Sequence, residues 1–152
     1  MHKSLEPDLG RMIAYCGHLG KQSMDQLLRR AGYDVTPAQT HLLMRLTCTG
    51  EGQEATQRDL EKQLRLKPST VNGIVDRLEA KGYVTRRPSP QDGRVRLVSL
   101  TEAGWGKVED FRGVVEETER LYTAGLSGQE REQLERLLNQ IITNLENEVN
   151  SV

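Results

Sequence analysis

Apolar residues recur at helical spacing along most of the chain, with one interruption past its middle. Leu9, Met12, Cys16, Leu19 and Leu27 predict a first helix from about Asp8 to Arg30, which Gly32 stops. Thr36-Pro37-Ala38-Gln39 follows. Thr36 suits a helix cap, Pro37 the first helical position and Gln39 the reciprocal partner of a capping box. Leu42, Leu43 and Leu46 give the second helix its apolar face, and Thr49-Gly50-Glu51-Gly52 ends it in a loop. Thr56 opens a third helix, with Asp59 three residues on and Leu60 and Leu64 turned inward. Pro68 opens a fourth. Its Val71, Ile74, Val75 and Leu78 stand at i, i+3, i+4 and i+7 and share one face. Ser69, Thr70, Asn72, Gly73, Asp76 and Arg77 fall on the other, and Lys81-Gly82 ends the helix.

The interruption is β-like. Tyr83 to Arg87 and Arg94 to Leu100 read as two short strands, and the link Pro88-Ser89-Pro90-Gln91-Asp92-Gly93 carries the Asp-Gly signal of a hairpin. Thr101 then caps a long helix in which Val108, Phe111, Val115, Thr118 and Tyr122 alternate at three and four. Ser127-Gly128-Gln129-Glu130 reads as a capping box for the last helix, whose stripe is Leu134, Leu137, Leu138, Ile141, Leu145 and Val149. Stripes this long need a partner helix. A homodimer joined through both chain ends is the favoured reading, and an intrachain bundle is the alternative.

Composition narrows the class. A chain of 152 residues has room for one or two small cores, and 36% hydrophobic with 28% charged residues suits a soluble, helix-rich protein. No apolar run approaches the length that spans a bilayer, and the N-terminal residues lack the apolar region of a secretory signal. Cys16 and Cys48 lack CxxC spacing and fit no disulfide framework. Free thiols and a cytoplasmic location are the simplest expectation.

Charge changes the picture more. Residues 56–101 hold ten Lys/Arg against five Asp/Glu, a local +5 in a chain whose net charge is −1. Such a concentration is the electrostatic footprint of a phosphate-backbone binder. Charge alone does not separate this from a solvated face. A helix-turn-helix followed directly by a basic hairpin does, because a helix with a polar outer face fits a major groove. The turn is Leu64-Arg65-Leu66-Lys67. Candidate DNA contacts are Thr56 and Gln57 at the third helix, then Lys67, Pro68, Ser69, Thr70 and Asn72 near the start of the fourth. Gly73 lets the backbone approach closely, and Arg77 lies within reach of a phosphate. Arg94 at the hairpin tip suits a minor groove, Arg86, Arg87 and Arg96 suit flanking phosphates, and Asp92 is placed to hold an arginine by a charge-assisted hydrogen bond.

Several segments together resemble the MarR family of bacterial transcriptional regulators. They are Thr36-Pro37-x-Gln39, Thr70-Val71-x-x-Ile74-Val75-Asp76-Arg77-Leu78-Glu79-x-Lys81-Gly82-Tyr83-Val84, Asp92-x-Arg94 and Ser99-Leu100-Thr101-Glu102-x-Gly104. The similarity covers nearly the whole chain, and the Asp-x-Arg wing followed by Leu-Thr-x-x-Gly is its most specific part. The resemblance implies a mainly α fold with a small β-hairpin wing: a winged helix-turn-helix DNA-binding lobe over residues 34–101, and a helical dimerisation region over 1–33 and 102–152. It implies a homodimer, usually a repressor, that binds a palindromic operator in double-stranded DNA and often releases it to a small phenolic or other aromatic ligand. The recognition helix is then about Pro68 to Lys81, the wing about Tyr83 to Leu100, and Arg94 the wing-tip arginine. The wing loop departs from the family pattern in carrying Pro88 and Pro90, which stiffen it.

The resemblance also places ligands between the lobe and the dimer helices, where Tyr15, His18, His41, Met44, Arg45, Trp105 and Phe111 fall. Aromatic and soft side chains beside a cation suit an aromatic acid; ordinary core packing is the alternative for each. Some family members sense peroxides through a first-helix cysteine, which makes Cys16 a redox candidate. Its place on the apolar stripe, away from Lys21, favours a buried, inert thiol instead. His2, His18 and His41 form no i, i+3 or i, i+4 pair, so no metal or other cofactor is expected. The chain contains no Gly-x-Ser-x-Gly elbow, phosphate loop or HExxH, so no enzyme is expected either. A thiol-based regulator of the same fold and a winged-helix protein-interaction module without DNA binding remain the alternatives.

Overall fold

The computed structural model describes residues 8–49 and 54–151. Part of the loop expected after the second helix, and His2, lie outside them. The elements run α1 (Leu9–Arg30), α2 (Pro37–Leu46), β1 (Glu54–Thr56), α3 (Gln57–Leu64), α4 (Pro68–Ala80), β2 (Val84–Pro88), β3 (Arg96–Leu100), α5 (Glu102–Thr123) and α6 (Gly128–Asn150).

Local chemistry sets the helix starts. Thr36 and Gln39 form a reciprocal capping box, each side chain accepting from the other's backbone amide at 3.2 Å. Thr56 and Asp59 do the same at the start of α3. Ser127 accepts from the Glu130 amide at 3.2 Å to start α6. The turn between α3 and α4 is closed by Arg65, which takes left-handed backbone angles (φ 53°) that most side chains avoid. Leu66 N–H then reaches the Glu61 carbonyl at 3.1 Å, satisfying one of the orphan acceptors at the helix end.

The sheet has three antiparallel strands in the order β1-β3-β2. β2 and β3 are the expected hairpin, paired from Val84 with Leu100 to Pro88 with Arg96. The third strand, β1, has no signal in the pattern of hydrophobic and polar positions. It pairs Glu54 with Ser99 and Thr56 with Leu97, so Thr56 both closes a strand and caps a helix.

The core gathers Leu42, Leu43 and Leu46 of α2, Leu60 of α3, Val71, Val75 and Leu78 of α4, and Val84 and Val98 of the sheet. Met24 and Leu28 of α1, Val35, Ala55 of β1, Ile74 of α4, and Val108 and Phe111 of α5 complete it. The joint between α4 and α5 is tight. Thr101 Oγ1 donates to the Gly82 carbonyl at 2.6 Å and accepts from the Gly104 amide at 3.0 Å. A Cβ at Gly104 would sit 2.1 Å from the Tyr83 carbonyl oxygen, so this position in the Leu-Thr-x-x-Gly segment admits only glycine without a shift.

A polar cluster braces the same corner. The Tyr83 hydroxyl donates to the Asp34 carboxylate at 3.0 Å, and Lys107 Nζ lies 3.4 Å from Asp34 Oδ1 and 5.3 Å from the Tyr83 ring centre. Partial burial works against the charge of Asp34, but Tyr83, Lys107 and Lys81 outweigh it and hold the carboxyl below its ordinary value.

The chain divides into two compact units after Glu116. In the first, the apolar residues of the N-terminal half of α1, including Leu9, Met12 and Leu19, are exposed. In the second, Leu121 and Tyr122 of α5 and Leu134, Leu137, Leu138, Leu145 and Val149 of α6 are exposed.

Candidate nucleic-acid interface

Helix α4 has two distinct faces. Val71, Ile74, Val75 and Leu78 are buried, whereas Pro68, Ser69, Thr70, Asn72, Asp76 and Arg77 are exposed and Gly73 is half-buried. Lys67, its cap residue, is exposed and makes no side-chain cap. The first-turn amides are therefore not taken by a capping side chain, and the helix dipole favours an anion there.

The wing loop is ordered by its own hydrogen bonds. Asp92 Oδ1 accepts from the backbone N–H and from Nε of Arg94. Val95 N–H donates to the Asp92 carbonyl at 2.9 Å, and Ser89 N–H to the Val95 carbonyl at 2.8 Å. The Arg94 side chain nevertheless stays 93% exposed. A groove between wing and helices is lined by Thr56, Gln57, Arg58, Asn72, Arg86, Arg94, Val95 and Arg96. Of the expected contact residues, Thr56, Gln57, Asn72, Arg86, Arg94 and Arg96 thus share one groove, and Lys67, Pro68, Ser69, Thr70, Gly73, Arg77 and Arg87 lie outside its lining. Arg58, not singled out from sequence, joins them because it follows the α3 cap directly beside Gln57.

Two arginines expected at phosphates are engaged within the protein. Arg86 pairs through Nη2 with Asp76 and with Glu79, and donates from Nη1 to Asn72 Oδ1. Partial burial opposes its charge, but the two carboxylates outweigh that and raise its pKa. Arg87 makes a bidentate pair with Glu54, Nε to Oε1 at 2.9 Å and Nη2 to Oε2 at 2.8 Å, reaching across β3 to β1. Arg77 and Arg96 remain exposed.

A MarR family model matches residues 33–95. The multiple antibiotic resistance protein MarR of Escherichia coli K12 is 32% identical over 137 residues, which cover 88% of this chain and 90% of that protein. The chain belongs to the MarR family. Two solved structures with bound DNA resemble this MarR-family regulator along most of its length. A MarR mutant from E. coli complexed with operator DNA is 30% identical with TM-score 0.76, covering 88% of this chain and 92% of that one. The S. aureus MepR–DNA complex is 30% identical with TM-score 0.82, covering 91% and 99%. An uncharacterised HTH-type transcriptional regulator of Bacillus subtilis, YdgJ, is 32% identical over 107 residues, 70% of this chain; the chain spans 63% of that relative's length. These relatives are transcriptional regulators, a non-enzymatic class.

The ligand candidates of this MarR-family chain are spread over three helices. Tyr15 and His18 are exposed on α1. Cys16 between them is exposed too, which corrects the expectation of a buried thiol: every residue from Asp8 to Leu19 is exposed, and burial on α1 begins only at Met24. His41 and Arg45 lie one turn apart on α2. Partial desolvation, and then the Arg45 charge, lower the pKa of the His41 imidazole. Met44 packs half-buried against the core, and Trp105 is half-buried on α5. Phe111 is fully buried, so it is a packing residue that offers no face to a ligand in this conformation. Among the described residues, no group of three or more His, Cys, Asp or Glu could hold a metal ion, and no helix is long and apolar enough to cross a membrane.

Proposed function

We propose that this MarR-family regulator is a homodimeric repressor. In this reading it grips a palindromic operator with paired α4 helices and wings, and releases it when a small aromatic ligand binds. The observation that carries the reading is Arg94, held out on an ordered wing tip beside the exposed polar face of α4. That arrangement suits a helix in the major groove and an arginine in the adjoining minor groove. The relatives solved with DNA support it.

One lobe reads one half-site, so an operator of two half-sites needs two chains. The exposed apolar residues of α1 in the first unit, and separately those of α5 and α6 in the second, are surfaces a second copy would cover. Occupancy of an operator is enough to block a promoter, so repression is the action this surface performs without a further partner. In this reading the aromatic and soft side chains of Tyr15, His18, His41, Met44 and Trp105 supply the chemistry an aromatic acid needs, with Arg45 as the cation, while the fully buried Phe111 takes no direct part.

Selection of bound duplexes from a random pool tests the reading. The expected product is a palindrome whose half-sites lie about one helical turn apart, bound with an affinity that falls steeply as salt rises. A flat salt dependence and no selected sequence would remove DNA binding from the account. A ligand screen on the selected duplex then tests release.

A further inference from the structure

We infer that Arg86 is a positioning residue for base recognition, fixing the side-chain amide of Asn72 so that it meets the major groove as a hydrogen-bond donor. The inference rests on the proposed DNA-binding reading and adds what one position reads.

An asparagine amide is nearly the same shape in its two orientations, so its neighbours' chemistry decides which way it points. Arg86 Nη1 can only donate, and it lies 3.1 Å from Asn72 Oδ1. The Asp76 carboxylate can only accept, and its Oδ2 lies 3.4 Å from Asn72 Nδ2. Gln57 Nε2 donates to the same Oδ1 at 3.3 Å. A flipped amide would turn its N–H groups toward the guanidinium and its oxygen toward the carboxylate, losing both contacts. The oxygen is therefore occupied on both lone pairs, while Nδ2 keeps one hydrogen beyond the one facing Asp76.

Asn72 stands on the exposed face of α4. With its oxygen occupied it cannot make the paired donor–acceptor contact by which asparagine selects adenine. It can donate to a lone acceptor, such as purine N7, guanine O6 or thymine O4. Arg86 is itself poorly placed for a phosphate. Its side chain is only 20% exposed and sits against Asp76 and Glu79, two carboxylates that would repel one. Its backbone N–H also donates to Glu79 Oε2 at 3.2 Å, so the first wing strand is fastened to α4 at the same residue.

The test is duplex selection, together with binding at several salt concentrations, for the wild type, Asn72→Ala, Arg86→Ala and Arg86→Lys. The wild type should prefer an acceptor-bearing base at one half-site position. Asn72→Ala and Arg86→Ala should both lose that preference by about tenfold, at the same position. The salt slope of Arg86→Ala should equal that of the wild type. Arg86→Lys keeps the charge and a donor, so it should restore part of the preference, and it carries the test if Arg86→Ala does not fold. A salt slope lowered by about one with base preferences intact would make Arg86 a phosphate contact and overturn the inference. So would a preference lost at a position other than the one Asn72 reads. A wild type that selects a site whose preferences survive both Arg86 variants defeats this inference alone. A wild type that selects nothing and ignores salt defeats the DNA-binding reading on which it stands.

Discussion

The Asp92 carboxylate grips Arg94 at two points, accepting from its backbone N–H at 3.0 Å and from its side-chain Nε at 3.3 Å. The short acidic side chain thereby closes a turn and aims a cation with one oxygen. In the proposed complex the remaining guanidinium nitrogens are the ones that meet DNA. Arg94→Ala should weaken operator binding by roughly 1–3 kcal/mol. Asp92→Ala should weaken it by less, about 0.5–1 kcal/mol, because the charge survives and only its aim is lost. Fluorescence anisotropy titrations of one labelled duplex measure both. Equal affinities for wild type and Arg94→Ala would take the wing out of the mechanism.

Gly104 and Gly106 lie within one turn of each other on α5 and should respond oppositely to a methyl group. At Gly104 the new carbon meets the Tyr83 carbonyl oxygen at 2.1 Å, and at Gly106 it meets nothing within 4 Å. Gly104→Ala should destabilise by about 1–3 kcal/mol. Gly106→Ala should stabilise by up to roughly 1 kcal/mol, the ordinary gain of alanine over glycine in a helix. Urea unfolding of the two variants compares them directly.

Acidification should weaken the fold in two stages. His41 is favoured neutral in the native state by partial desolvation and by Arg45, so its folded pKa lies below its unfolded one. Its contribution is whole above the ordinary histidine range and drains away as pH falls through that range toward the folded value. Asp34, held below its ordinary value, acts with the same sign in the carboxylate range: its contribution is present above the unfolded pKa and lost as pH falls through the folded one. His41→Gln should flatten the first stage and Asp34→Asn the second. Unfolding free energies across acidic pH would reveal either stage left unchanged.

If a second copy covers α6, Leu138→Glu should give a monomer with its helical content intact. The charge would have to be buried without a partner in the proposed interface. Operator affinity should fall with it, because a single lobe holds only one half-site. Sedimentation velocity reads the oligomeric state, and a Leu138→Glu protein that remains dimeric would move the interface elsewhere.

The helices were legible because their signals are local. Thr36 with Gln39, Thr56 with Asp59 and the i, i+3, i+4, i+7 set on α4 all act within two turns of chain. Strand β1 was not, since the polar-apolar-polar pattern of Glu54, Ala55 and Thr56 is a single alternation, too short to signal a strand, and Thr56 reads as a helix cap. Arg65 gave no sign of its left-handed backbone, a conformation that is normally flagged by glycine or asparagine. Among the site residues, the exposed outer face of α4 followed from periodicity. The capture of Arg87 by Glu54 did not, because the partner stands 33 positions away in the chain. Cys16 illustrates a different limit. An apolar stripe says that a side chain wants cover, not that its own chain supplies it.

The two faces of α4 share no residue. Val71, Ile74, Val75 and Leu78 build the lobe, while Ser69, Thr70 and Arg77 look outward from it. Exchanging those three therefore sacrifices little packing, so in the proposed complex the outward face could be rewritten for another operator without first relearning how to fold.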